Sequence, residues 1–283
     1  MSSRPSRSWS SGAGTAGAAR DLARGTGTAQ GASRGAAYGD RFGATERTDP
    51  WWRIPILQAV GLLILIGYAN YAAILGADHY HYVANGRDYL SPFFSPYVHP
   101  AWWPFSPALL VLVFPLGFRA TCYYYRKAYY RSFFADPMGC AVGEPRKGYA
   151  GETKFPFVLQ NLHRFFLYAA LVFLIFLWWD VIRAFTFDGR FGMGGGSLAI
   201  LASTGLLTLY TFSCHSLRHL VGGNVDCFSC AVAGGPRQKT WGVVSVLNEH
   251  HMAWAWWSLL GVCFGDFYVR MCSMGVFQDP RFF

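Results

Sequence analysis

A chain of 283 residues that is 53% hydrophobic and only 14% charged is not composed like a soluble domain, in which charged residues run near a quarter. Its formal net charge of +9 does not mark a nucleic-acid binder, because the basic residues fall in an N-terminal tail and in segments flanking apolar runs. Stretches long enough to cross a hydrocarbon core of roughly 30 Å recur along it. The composition therefore predicts an all-α, polytopic membrane protein.

Residues 1–50 are rich in Gly, Ala, Ser, Thr and Arg, with almost no large aliphatic side chain. Such a segment cannot bury enough surface to order itself, so it reads as a disordered basic tail on the cytoplasmic side. The first apolar run starts at Ile54, too far along to be the h-region of a signal peptide. Five transmembrane helices are expected within 51–283. They cover about 54–77, 102–125, 157–185, 197–221 and 243–271. Pro115 should kink the second. The third holds the unbroken core LYAALVFLIFLWW. The fifth is the least apolar, since it carries Glu249, His250, His251 and Asp266.

Loop charge sets the orientation. The segment between the second and third spans, with its helix ends, holds Arg119, Arg126, Lys127, Arg131, Arg146, Lys147 and Lys154, and the next basic loop holds Arg237 and Lys239. The opposite loops carry little more than Arg87 and Arg190. The expected topology is N-terminus cytoplasmic, C-terminus outside.

That orientation gathers the polar residues. At about 1.5 Å rise per residue, Cys122, His163, Cys214, His215, His219, His250 and His251 all fall within roughly 12 Å of the cytoplasmic boundary. His79, His81 and His99 fall in an outer loop and read as solvated. One buried histidine is ordinarily a hydrogen-bonded packing residue, but ionisable groups inside a span need compensation, and several at one depth suggest a site. His215 and His219 share a helix face, and Cys214 lies about 100° round from His215.

Thiols with imidazoles suit zinc or a [2Fe–2S] cluster held by two Cys and two His. The alternative is a haem b whose axial ligands would be His163 with His215 or His251. Stacked haems would need histidines in the outer half of the spans, and none is there. Arg218, Trp241 and His251 lie at a suitable depth to bind a quinone. Cys227 and Cys230 form a C-x-x-C, weak evidence alone for a metal or redox pair. The cysteines near the cytoplasmic face are expected to be reduced. Cys263 reads as a packing residue and Cys272 as a free thiol. The run TCYYYRKAYYRSFF reads as an interfacial aromatic belt with positive anchors, or as a platform for a soluble partner or anionic lipid headgroups. GRFGMGGG follows no strand and reads as a turn. A transporter or channel is the reading from another class, disfavoured because neither an inverted repeat nor paired broken helices is evident.

The runs TCYYYRKAYYRSFF, CAVGEPRKGYAGETKFPFVLQNLHRFFLY, CHSLRHLVGG and HM-x-W-x-WWSLLGV-x3-DFYVR resemble the membrane-anchor subunit of actinobacterial-type succinate dehydrogenase (complex II), over about residues 51–272. The resemblance implies a five-helix anchor in the bacterial plasma membrane with a membrane-embedded Rieske-type [2Fe–2S] cluster in place of paired haems. It implies flavoprotein and iron–sulfur subunits docked on the cytoplasmic face, and electrons passed to a quinone, with menaquinone the expected acceptor. The positions matching its motifs are Cys122, Cys140, Cys214, His163, His215, His219 and His251. Two Cys and two His of these would be ligands: Cys122, Cys214, His163 and His215 are the chosen set, with Cys140, His219 and His251 in reserve. The C-x-x-C is not part of that pattern.

Overall fold

The computed structural model describes residues 41–135, 141–143, 153–155, 157–223 and 225–283. Most of the tail and the reserve ligand Cys140 lie outside the described residues. The chain divides into two units. In the smaller one, Gly43 and Gly143 exchange backbone bonds with their partners across a short antiparallel bridge, Thr45 against Val142. There Arg47 pairs with Asp49 and holds its carboxyl below the usual range, chiefly by direct hydrogen bonding.

The larger unit is helical. Helix α1 (Arg53–Asn70) continues into a π-helical turn, Tyr71–Leu75. A hairpin follows, β1 (His81–Ala84) and β2 (Arg87–Leu90), turned by Asn85 and Gly86, both at positive φ. Next come α2 (Pro107–Thr121), α3 (Tyr123–Tyr129) with a π turn to Phe134, and α4 (His163–Ala184), entered through a 3-10 turn, Phe157–Leu162. A two-residue hairpin, β3 (Thr186–Phe187) and β4 (Arg190–Phe191), leads to α5 (Gly195–Phe212). The chain ends with α6 (His215–Arg218) and its π turn, α7 (Gly234–Glu249) and α8 (His251–Ser273).

Three of these helical stretches are long and apolar enough to cross a membrane: Arg53–Leu75, Val158–Ala184 and Gly195–Phe212. A fourth forms if α2 and the helix after it count as one span, bent by 77°. The expected second, fourth and fifth spans are thus not continuous helices. The sharp bend falls at Cys122, while α2 runs through Pro115. Cys122 and Cys214 both adopt extended backbone, with φ and ψ of −64° and 129° and of −63° and 135°. His250 separates α7 from α8.

The two ends of the helical unit differ. At the hairpin end, Asp266 and Arg270 are almost wholly buried, form an ion pair at 3.3 Å, and are held by Tyr68, Ser91 and the carbonyls of Ala72 and Gly76. The π turn of α1 receives the Arg270 guanidinium there. Asp279 folds the C-terminal segment back onto α5. Its carboxylate accepts from Gly196 N at 2.7 Å, Tyr268 at 2.7 Å and Tyr89 at 2.9 Å, and pairs with Arg87 at 3.0 Å. Burial pushes the Tyr89 phenol well up, which keeps it a donor. The other end carries the basic segment and the candidate site.

Candidate metal centre and adjoining cavity

Helices α2 and α5 run toward the basic end and stop one residue before Cys122 and two residues before Cys214. Helices α4 and α8 start there, each with a histidine as first residue. The four side chains meet in two pairs. His163 Nε2 lies 3.2 Å from Cys214 Sγ, and His251 Nε2 lies 3.4 Å from Cys122 Sγ. The other ring nitrogens are occupied: His163 Nδ1 meets Thr121 Oγ1 at 2.9 Å, and His251 Nδ1 meets Ser213 Oγ at 2.7 Å. Phe118 stacks on His163 at 4.8 Å and Tyr210 on His251 at 5.1 Å. The cysteines are 3% and 1% exposed, so what reaches these thiols has to be built in or admitted deliberately.

Three observations test whether a Rieske-type cluster fits. Among the described residues no three His, Cys, Asp or Glu side chains converge on a single ion; a [2Fe–2S] centre asks only two protein ligands of each iron, and two thiols with two imidazoles supply that set. The backbone N–H groups of Ser216 and Leu217 lie toward the Cys214 sulfur and favour its anion, as a thiolate in an apolar site requires. The Tyr210 hydroxyl is buried without an oxygen or nitrogen partner, next to Cys122. An orphaned donor beside a candidate sulfur ligand is suited to hydrogen-bond a cluster. The donor set and its surroundings fit.

The remaining candidates lie elsewhere. His215 and His219, at the start and end of α6, are exposed, as is His250. Arg218 stacks over Trp241 at 4.9 Å and bonds Ser245 at 2.8 Å, clamping α6 to α7. Cys263 and Cys272 are buried free thiols, the latter at the hairpin end. Cys227 and Cys230 are joined as a disulfide, contrary to the expectation of reduced thiols: the tight C-x-x-C turn brings their Cα atoms to 5.3 Å, within bonding reach.

Beside the cluster residues opens a cavity of about 460 Å³ between α1, α2, α4, α5 and α8. Its walls are mostly aliphatic, with Leu65, Leu112, Leu207 and Val262 among them, and no histidine contributes. Its polar groups at the basic end are Arg119, Tyr210 and Thr211. Arg119 donates to Tyr125 at 2.7 Å, Ser258 at 3.1 Å and the Ala255 carbonyl at 3.3 Å, and sits over the Tyr210 ring at 4.7 Å. Guanidinium carries five N–H donors, so these three bonds leave some over. Composition alone cannot single out this arginine, because positive-inside anchoring predicts a cation at the same depth.

The family model described as actinobacterial succinate dehydrogenase subunit SdhC matches residues 53–275. A chain of the Mycobacterium smegmatis Sdh1 complex in the apo form is similar at 40% identity, with a TM-score of 0.76, over 84% of this chain and 94% of that one. Comparison with curated proteins gives no match. On this evidence the chain belongs to the actinobacterial SdhC family, the membrane-anchor subunit of succinate dehydrogenase.

Proposed function

We propose that this subunit relays electrons from the soluble part of the enzyme to a membrane quinone through a Rieske-type [2Fe–2S] cluster held by Cys122, Cys214, His163 and His251. The observation that carries the reading is the reciprocal pairing of two thiols with two imidazoles at four helix junctions. His251 takes the place first given to His215, which is exposed one residue beyond Cys214. When bound, such a cluster passes single electrons, at a potential raised by its histidine ligands into the range of quinones.

The chain's own residues set the conditions. The breaks at Cys122 and Cys214 turn each sulfur out of a continuous helix and leave the N–H groups of the next turn free to face it. Phe118 and Tyr210 cover the imidazoles and exclude water. In the adjoining cavity, apolar walls accept the quinone ring and isoprenoid chain, a combination typical of small-molecule sites. Arg119 supplies spare donors to a quinone carbonyl. The haem reading is the weaker one, because His163 and His251 each face a thiol and His215 is exposed.

The topology we propose has five crossings. α8 is 23 residues long, about 34 Å at the helical rise, and its buried Asp266 and Arg270 neutralise each other. The basic end then faces the cytoplasm, where the flavoprotein and iron–sulfur subunits dock. Iron and acid-labile sulfide are measured in the purified complex and in a His251→Ala complex. Two irons assigned to this subunit, lost in the variant while assembly survives, is the expected result. Full iron content in the variant would overturn the ligand set.

A further inference from the structure

Two five-residue segments of this chain are built alike. Phe118 to Cys122 (FRATC) ends α2, and Tyr210 to Cys214 (YTFSC) ends α5. Each reads aromatic, two residues, hydroxyl, cysteine. Each does the same three things. The aromatic ring stacks on one histidine, the hydroxyl bonds Nδ1 of that histidine, and the cysteine faces Nε2 of the other one. The site is thus two half-cradles with reciprocal contacts.

The hydroxyls carry directional information. Thr121 Oγ1 lies 2.7 Å from the Gly117 carbonyl, and Ser213 Oγ lies 2.9 Å from the Tyr210 carbonyl. A carbonyl only accepts, so each hydroxyl places its one hydrogen there and turns a lone pair to the ring. The ring nitrogen facing that lone pair has to be the one that bears hydrogen. Neutral imidazole carries a single N–H, so the other nitrogen is bare. That bare nitrogen is Nε2, aimed at a thiol on each side.

We propose that Thr121 and Ser213 are positioning residues: their hydroxyls lock His163 and His251 in the Nδ1–H tautomer, so that both rings offer Nε2 to the metal centre. The inference rests on the cluster reading for its purpose, but the tautomer is a property of the chain itself. It has a consequence for the reaction. Each ring N–H is engaged by a hydroxyl that is itself tied to the backbone, so neither histidine presents an N–H to a quinone. The histidines serve the electron, and the quinone's hydrogen-bond donors come from other side chains.

The test has two arms. In the first, the full-length chain is prepared without metal in detergent, with 15N-histidine, and the protonated ring nitrogen of each histidine is read by 1H–15N correlation. His163 and His251 are assigned by loss of signal in single variants. The expected result is hydrogen on Nδ1 of both rings; hydrogen on Nε2 of either would overturn the proposal. In the second, the intact complex is made with Thr121→Val, Thr121→Ser, Ser213→Ala and Ser213→Thr. Losing a hydroxyl that orients a ligand typically weakens metal retention about 10–100-fold. Thr121→Val and Ser213→Ala are expected to release iron to a chelator that much more readily and to alter the nitrogen couplings of the reduced centre, whereas Thr121→Ser and Ser213→Thr restore both. Native retention and couplings in Thr121→Val and Ser213→Ala would refute it. Should a variant fail to assemble, the tautomer of the unaltered chain decides alone. An unaltered complex with no iron assigned to this subunit would defeat the cluster reading and leave the tautomer result standing.

Discussion

The hairpin end and the basic end of this helical unit use buried polar groups in opposite ways. At the hairpin end, each buried carboxylate of the clasp meets an arginine: Asp266 with Arg270, Asp279 with Arg87. Hydroxyls, phenols and backbone groups fill most of the remaining valences, leaving Arg87 Nε without a partner. There α8 runs unbroken through Asp266 and Arg270. At the basic end, the helices break at the residues of interest, the facing groups are thiols and imidazoles, and one phenol is left unpartnered. Paired charges hold a fold together; facing thiols and imidazoles, assembled at the expense of helix continuity beside a bare phenol, are what a binding site looks like before its occupant is counted.

The largest effects are expected at the basic end. Cys122→Ser or Cys214→Ser is expected to remove the cluster entirely and abolish quinone reduction, while succinate oxidation with a soluble dye persists in the soluble subunits. Visible and EPR spectra beside the two assays check this. The next largest effect lies at the hairpin end. Asp266→Ala leaves Arg270 buried and unpaired, which typically destabilises by about 3–5 kcal/mol. Loss of folded protein in a thermal assay is the expected outcome, with Asp266→Ala and Arg270→Met together faring better than the single variant.

Smaller effects sharpen the picture. Arg119→Gln removes a charged donor at the cavity, and hydrogen bonds to charged groups contribute about 1.5–3 kcal/mol. Quinone reduction should fall by about tenfold or more, through KM for quinone as well as turnover, with iron content unchanged. Tyr210→Phe deletes an unsatisfied hydroxyl, so stability should hold or rise slightly, while the potential of the centre shifts downward in a redox titration. His215→Ala should alter none of these readouts, since that ring is exposed at the start of α6.

How much of this was legible in the residues follows from what periodicity can carry. Apolar runs revealed α1, α4 and α5, because hydrophobic length is the direct signature of a span. The choice of residue types at the site was legible too, since thiols and imidazoles at one depth need a reason. The breaks were not. TCYYY and FSCHS contain neither Pro nor Gly, the usual marks of interruption, and Pro115 drew attention seven residues too early. On an unbroken helix, Cys214 and His215 lie about 100° apart and can face one interior. The extended backbone at Cys214 destroys that relation and turns the ring to the surface, while the junction at His250 brings His251 in. The C-terminal clasp was also hidden, because Asp279 meets its partners only after the chain has folded back.

The central claim is that Cys122, Cys214, His163 and His251 together hold one high-potential iron–sulfur centre. Low-temperature EPR of the intact complex after mild ascorbate reduction tests it most directly, with the complex carrying His251→Cys run alongside. The account predicts a rhombic reduced [2Fe–2S] signal with couplings to two histidine nitrogens in the native complex, and loss of one coupling with a lower potential in the variant. A native complex showing instead a low-spin ferric signal in its oxidised state, and no reduced cluster signal, would contradict it.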